Sequence, residues 1–256
     1  MIKLILCLIT ILFLTQDAYP YTIALDIGHT DKSPGAIGAS GTPEIIYNRK
    51  VAEDVKTYIE EKGKHSAFFI QNVGLKERTE IANNWADIFI SIHHDSVTQN
   101  LVPFAYKFRG FALFVSDKNP SYKKGLLLAK LIGSKLVRND FYMALHHEGN
   151  RSRKYVWVDK ETGVYKGNVL TVIKDTKIPA VLVECGIIKN LYEETWLALP
   201  ENHNKLVSSI GDSVDEFFER WFNKTEFKED IKLPKKEIKK ITPPKKVKPK
   251  GNWVSA

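Results

Sequence analysis

Asp87-Ile88-Phe89-Ile90-Ser91-Ile92-His93-His94-Asp95 decides how this chain is read. A strand with one wet face alternates apolar and polar residues. Here the run is almost continuously apolar, which fits a strand covered on both faces. Two other segments have the same form. Tyr21–Ile27 is β-branched and apolar and leads into Gly28-His29, and Pro179–Glu184 carries Val181-Leu182-Val183 up to Glu184. Each buried run therefore stops at a residue able to bind a metal or move a proton.

The segments between them read as helices. In Glu44–Lys62, Ile45, Val51, Val55, Tyr58 and Ile59 recur at helical spacing, and Gly63 ends the pattern. Leu75–Trp85, Ser121–Val137 and Asn202–Phe222 follow the same rule, the last with Leu206, Ile210, Val214, Phe217 and Trp221 directed inward. Ser66–Ile70 and Gly110–Ser116 add short strands. Asn139–Gly167 shows little periodicity and is expected to be an irregular excursion, while Val169–Ile173 fits either a helical turn or a strand. Such alternation implies an α/β fold: a single domain with a mixed, mostly parallel sheet flanked by helices on both faces.

The ends differ from this body. Met1-Ile2-Lys3 precedes an apolar run from Leu4 to Leu14, too short to span a bilayer, and then Ala18. That is the arrangement of a signal peptide, expected over residues 1–19, so the chain should be exported to a periplasm or the exterior. From Lys224 to Lys250 there are 11 lysines against 4 acidic residues, most of the formal charge of +8. Residues 224–256 are expected to form a disordered Lys/Pro-rich tail. Such a tail suits anionic polymers or lipid surfaces, or merely aids solubility. The nearly neutral body gives no reason to expect a specific nucleic-acid partner. Of two cysteines, Cys7 leaves with the export segment, so Cys185 can form no intrachain disulfide.

In open α/β sheets, sites gather at the carboxyl ends of strands. His29, His93 and Glu184 would converge there, and Glu44, opening the first helix, could fold back toward them. Two histidines and two glutamates suffice for three ligands of a catalytic zinc and one general base. Each histidine has a blander reading, as a hydrogen-bonded structural imidazole at a strand end. A glutamate closing a buried strand is the strongest single signal, because an unpaired buried carboxylate is costly.

Three blocks then carry a resemblance. They are Leu25–His29 with Pro34–Gly38 and Gly41–Glu44; Glu77–Asn83 with Ala86–Ser96; and Pro179–Asn190. In this order and spacing, across about residues 21–221, the chain resembles the zinc-dependent N-acetylmuramoyl-L-alanine amidases of type 3. The resemblance makes residues 20–223 an amidase-like catalytic domain, expected to act as a monomer on peptidoglycan. It implies that His29, Glu44 and His93 hold one Zn2+ and that Glu184 is the catalytic carboxylate. The bond implied joins the lactyl group of N-acetylmuramic acid to L-alanine. Arg78 matches a recurrent arginine expected to tie its helix to the site. Two departures bear on the shape of the pocket: Cys185-Gly186-Ile187, where a Phe usually follows the glycine, and Lys189, where a small residue is common.

Three rivals stay open at this stage. They are a peptidase cutting elsewhere in the stem peptide, a non-catalytic wall-binding protein, and a hydrolase using Cys185 as nucleophile. Asp95 and His94 fit either a supporting role beside the metal or ordinary capping. His146, His147 and Glu148 fit a solvated loop, or a segment near the cleft that binds substrate or blocks the metal. His65 and His203 are expected at the surface.

Overall fold

Strand β1, Tyr21–Ile27, supplies the frame on which the rest is built. Its side chains alternate between two cores, Ile23, Leu25 and Ile27 facing one and Ala24 the other. The computed structural model describes residues 21–147 and 155–222. The expected signal peptide (residues 1–19), the Lys/Pro-rich tail (residues 224–256) and Glu148 lie outside them.

Seven strands form one sheet in the order β2-β1-β3-β7-β4-β6-β5. Besides β1 these are β2 (His65–Ile70), β3 (Ile88–Asp95), β4 (Ala112–Val115), β5 (Val156–Asp159), β6 (Val164–Lys166) and β7 (Ala180–Ile187). β2, β1, β3 and β7 run parallel, as does β4 with β6. β4 is antiparallel to β7 and β5 to β6. The sheet is thus mixed, and its four-strand parallel half carries His29, His93 and Glu184 at or just beyond its strand ends.

The helices are α1 (Glu44–Glu61), α2 (Leu75–Trp85), α3 (Tyr122–Arg138), α4 (Thr171–Lys174), α5 (Leu191–Ala198) and α6 (Pro200–Phe222). α1 and α3 cover one face and pack on α6, while α2 and α4 cover the other. Leu206, Ile210, Val214 and Phe217 of α6 are buried, each contributing roughly 1.5–3 kcal/mol of transfer free energy. No helix among the described residues is long and apolar enough to cross a membrane.

The expected irregular stretch Asn139–Gly167 in fact contains the β5–β6 hairpin. Strands of 4 and 3 residues are too short to show a period. A 3-10 helix at Gln99–Lys107 and the short helix α5 were likewise not anticipated. His65 is also not a surface residue. Its side chain is only 9% exposed, 3.6 Å from Asp215, and His203 is half-buried against Asp54 at 2.5 Å.

Candidate metal centre

Glu44 is buried at the first turn of α1, where the helix dipole favours a carboxylate. Its Oε2 accepts the Ala36 N–H at 3.1 Å, and its Oε1 accepts the His94 N–H at 3.3 Å. The same Oε1 lies 2.9 Å from His29 Nε2 and 3.1 Å from His93 Nδ1. Burial works against ionisation of Glu44, yet the contacts with His29 and His93 prevail and hold its carboxyl well below the usual range. His29, Glu44 and His93 together offer three ligand atoms within 4.8 Å of one another. Two imidazoles and a carboxylate are the donor set of an open zinc site, so the residues fit the ion that the sequence implies.

The chain makes room for this cluster with glycine. A Cβ on Gly28 would lie 2.4 Å from the His93 ring, and one on Gly35 would lie 2.6 Å from Glu44 Oε2. Gly35 also has φ +82°, a conformation that suits glycine. His29 itself sits at φ +73°, a left-handed turn uncommon for a side-chain-bearing residue. Arg78 holds that turn. Its Nη1 donates to Asp26 Oδ1 at 2.6 Å and to Ile27 O at 2.7 Å, its Nη2 donates to His29 O, and its Nε reaches Val73 O at 3.0 Å.

The loop over the site is tied down as well. Ala39 N–H donates to Ile188 O at 2.8 Å, and Glu194 accepts from Ser40 N–H, Ser40 Oγ and Tyr47 Oη. Burial and the Glu194 contact push the Tyr47 phenol up to about 12.

Glu184 is the register partner of His93 across the β3–β7 pair, so the two stand side by side. It is half-buried, but its Oε2 is shielded from solvent and has no hydrogen-bond partner. Burial, with Asp95 and Glu44 nearby, pushes the Glu184 carboxyl well up. The next residue, Cys185, faces the opposite core and is 1% exposed. Burial also raises its thiol well above the usual value. A buried, protonated sulfur on the far face cannot serve as the nucleophile, so the cysteine reading fails.

His94 turns away from the cluster. Its Nδ1 pairs with Asn48 Oδ1 at 2.8 Å, and Asn48 Nδ2 donates to Gly28 O at 3.2 Å. Burial pushes His94 down to about 3, so its ring is neutral. Asn48 escaped the sequence reading, although it lies four residues after Glu44 and hence on the same helix face. Asp95 points instead to His146 and His147, which are not a solvated loop: His147 is buried and His146 half-buried.

Residues 23–216 match the family model described as N-acetylmuramoyl-L-alanine amidase. The chain belongs to this amidase family. Among curated relatives, AmiA of Escherichia coli K12 is 26% identical over 226 residues, covering 78% of this chain and 77% of AmiA. LytC of Bacillus subtilis 168 is 29% identical over 204 residues, covering 77% of this chain but only 35% of LytC. Among solved structures, an N-acetylmuramoyl-L-alanine amidase from Clostridium difficile 630 aligns with TM-score 0.63 at 18% identity, covering 78% of this chain and 97% of that one. AmiC2 of Nostoc punctiforme aligns with TM-score 0.60 at 23% identity, covering 78% and 98%. At these identities the structural matches speak for the fold, and the family rests on the sequence match.

Proposed function

We propose that this amidase uses zinc to hydrolyse the amide between N-acetylmuramic acid and L-alanine in peptidoglycan, with Glu184 as its catalytic carboxylate. One observation carries the reading: an ionised Glu44 bracketed by His29 and His93, with the unpartnered Glu184 beside His93. A zinc ion held by His29, Glu44 and His93 supplies an acidified water and polarises the amide carbonyl. Glu184 accepts a proton from the attacking water at its free carboxyl oxygen and returns it to the leaving L-alanine nitrogen. Arg78 and Asn48 hold the backbone that carries His29, and the Ala36 and His94 amides fix the Glu44 carboxylate in place.

The cell wall lies outside the cytoplasmic membrane, in keeping with residues 1–19 as a signal peptide. The tail, residues 224–256, then offers lysines to anionic wall polymers or lipid surfaces. We further propose that the enzyme acts as a monomer.

The test is mass spectrometry of soluble products from purified sacculi, comparing wild type with Glu184→Gln. Free stem peptides beginning at L-alanine are expected from wild type and should fall about 100- to 10,000-fold in the variant. Fragments cut within the peptide would make the chain a zinc peptidase. Intact sacculi with metal-loaded wild type would count against catalysis.

A further inference from the structure

Asp95 ends β3 two residues beyond His93, roughly 7 Å along the strand. Its Oδ2 lies 2.9 Å from His146 Nε2 and 3.0 Å from His147 Nε2. These three atoms form a second group within 4.8 Å of one another, sharing no residue with the first. The backbone that presents the two histidines is well fixed. Phe111 N–H donates to Tyr142 O and Ala144 N–H to Phe111 O, both at 2.8 Å, and Tyr165 Oη donates to Ala144 O at 2.7 Å. His147 stands edge-on to Phe114, Tyr155 and Tyr165, with centroids 5.2–5.4 Å apart, and His146 stands edge-on to Phe108 at 5.7 Å.

A hydrogen-bonded Asp-His pair would explain short distances, but the directions are wrong for one. Asp95 Oδ2 and His147 Nε2 are both buried and form an ion-pair contact at 3.0 Å, but neither atom has a well-directed hydrogen bond. Asp95 Oδ1 is spoken for by the Ser96 N–H at 2.7 Å. Among the described residues no partner holds His146 Nδ1 either, and the polar contact orienting that ring is with Asp95. A carboxylate oxygen and two imidazole nitrogens that crowd one point, with contacts too poorly directed for good hydrogen bonds, are arranged for a cation between them.

We infer that Asp95, His146 and His147 form a second metal site, for a divalent transition ion of the zinc class. Two imidazoles and one carboxylate with open positions suit such an ion better than Ca2+ or Mg2+, which seek oxygen ligands. An ion there pins the segment carrying His146 and His147 to the carboxyl end of β3. It also adds positive charge near Glu184, whose carboxyl feels Asp95.

The experiment is metal counting by mass spectrometry on the full chain, saturated with Zn2+ and freed of excess by gel filtration. Wild type should retain two ions, and His146→Ala, His147→Ala and His29→Ala one each. Co2+-loaded His147→Ala should lose about half the visible d–d absorption of wild type. Should His147→Ala not fold, as judged by circular dichroism, the isosteric Asp95→Asn replaces it with the same expectation. One ion in wild type that persists in His147→Ala and vanishes in His29→Ala overturns the second site. One ion that persists in His29→Ala and vanishes in His147→Ala upholds it and overturns the first.

Discussion

Arg78 is 2% exposed and Asp26 is fully buried, so their ion pair is sealed inside the protein beneath the candidate metal centre. Breaking such a pair leaves an uncompensated charge, at a cost of about 3–5 kcal/mol. Arg78→Met should lose that much in urea denaturation, and Arg78→Met with Asp26→Asn should recover part of it. Arg78→Lys should not match wild type, because one ammonium cannot reach Asp26, Ile27, His29 and Val73 together. Gly28 makes a different point, since there the side chain is excluded by the site itself. In Gly28→Ala the new Cβ meets the His93 ring, which must swing off Glu44. Zinc affinity should fall by about 10-fold or more, measured by competition with a chromophoric chelator, while the circular dichroism spectrum stays unchanged.

At the scale of elements, α3 lies against the β4–β6 half of the sheet through glycine. A Cβ on Gly133 would sit 1.9 Å from the Thr162 carbonyl oxygen, a backbone atom in the β5–β6 turn. Gly133→Ala must push the helix and the hairpin apart and should cost about 1–3 kcal/mol or more in thermal or urea unfolding. This hairpin was invisible in sequence, and the reason is physical. β5 and β6 owe their form to pairing with each other and with β4, and a few residues carry no readable period. The long elements were legible. α1, α2, α3 and α6 begin and end within about two residues of their expected bounds, because burial of one helix face needs a sustained apolar repeat. Glu184, likewise, was marked by a carboxylate closing an apolar run. Asn48 was not, since an amide on a helix is unremarkable until its partners are known.

Across the whole molecule, Glu193 of α5 joins two distant strand ends. Its Oε1 accepts the Gly110 N–H at 2.6 Å and its Oε2 the Ile187 N–H at 3.2 Å. Burial raises its carboxyl to about 8, overriding these two hydrogen bonds, against an ordinary value of 4.5. Between those values the folded state holds a proton that the unfolded chain releases. Stability from this residue is therefore complete below about pH 4.5 and is lost as pH rises toward 8. Urea midpoints should fall across that window, and Glu193→Gln should flatten the fall whatever its own stability.

The sequence by itself determined the α/β class, the strand ends that bear His29, His93 and Glu184, and the family, since buried runs and strand-end chemistry are local patterns. Strand alternation already turned Cys185 to the face opposite Glu184, and only the tertiary structure decided that Glu44 meets both histidines and that Asp95 gathers His146 and His147. Those are encounters between segments far apart in the chain, fixed by strand register and by loops folding back over the sheet, and no local pattern encodes them.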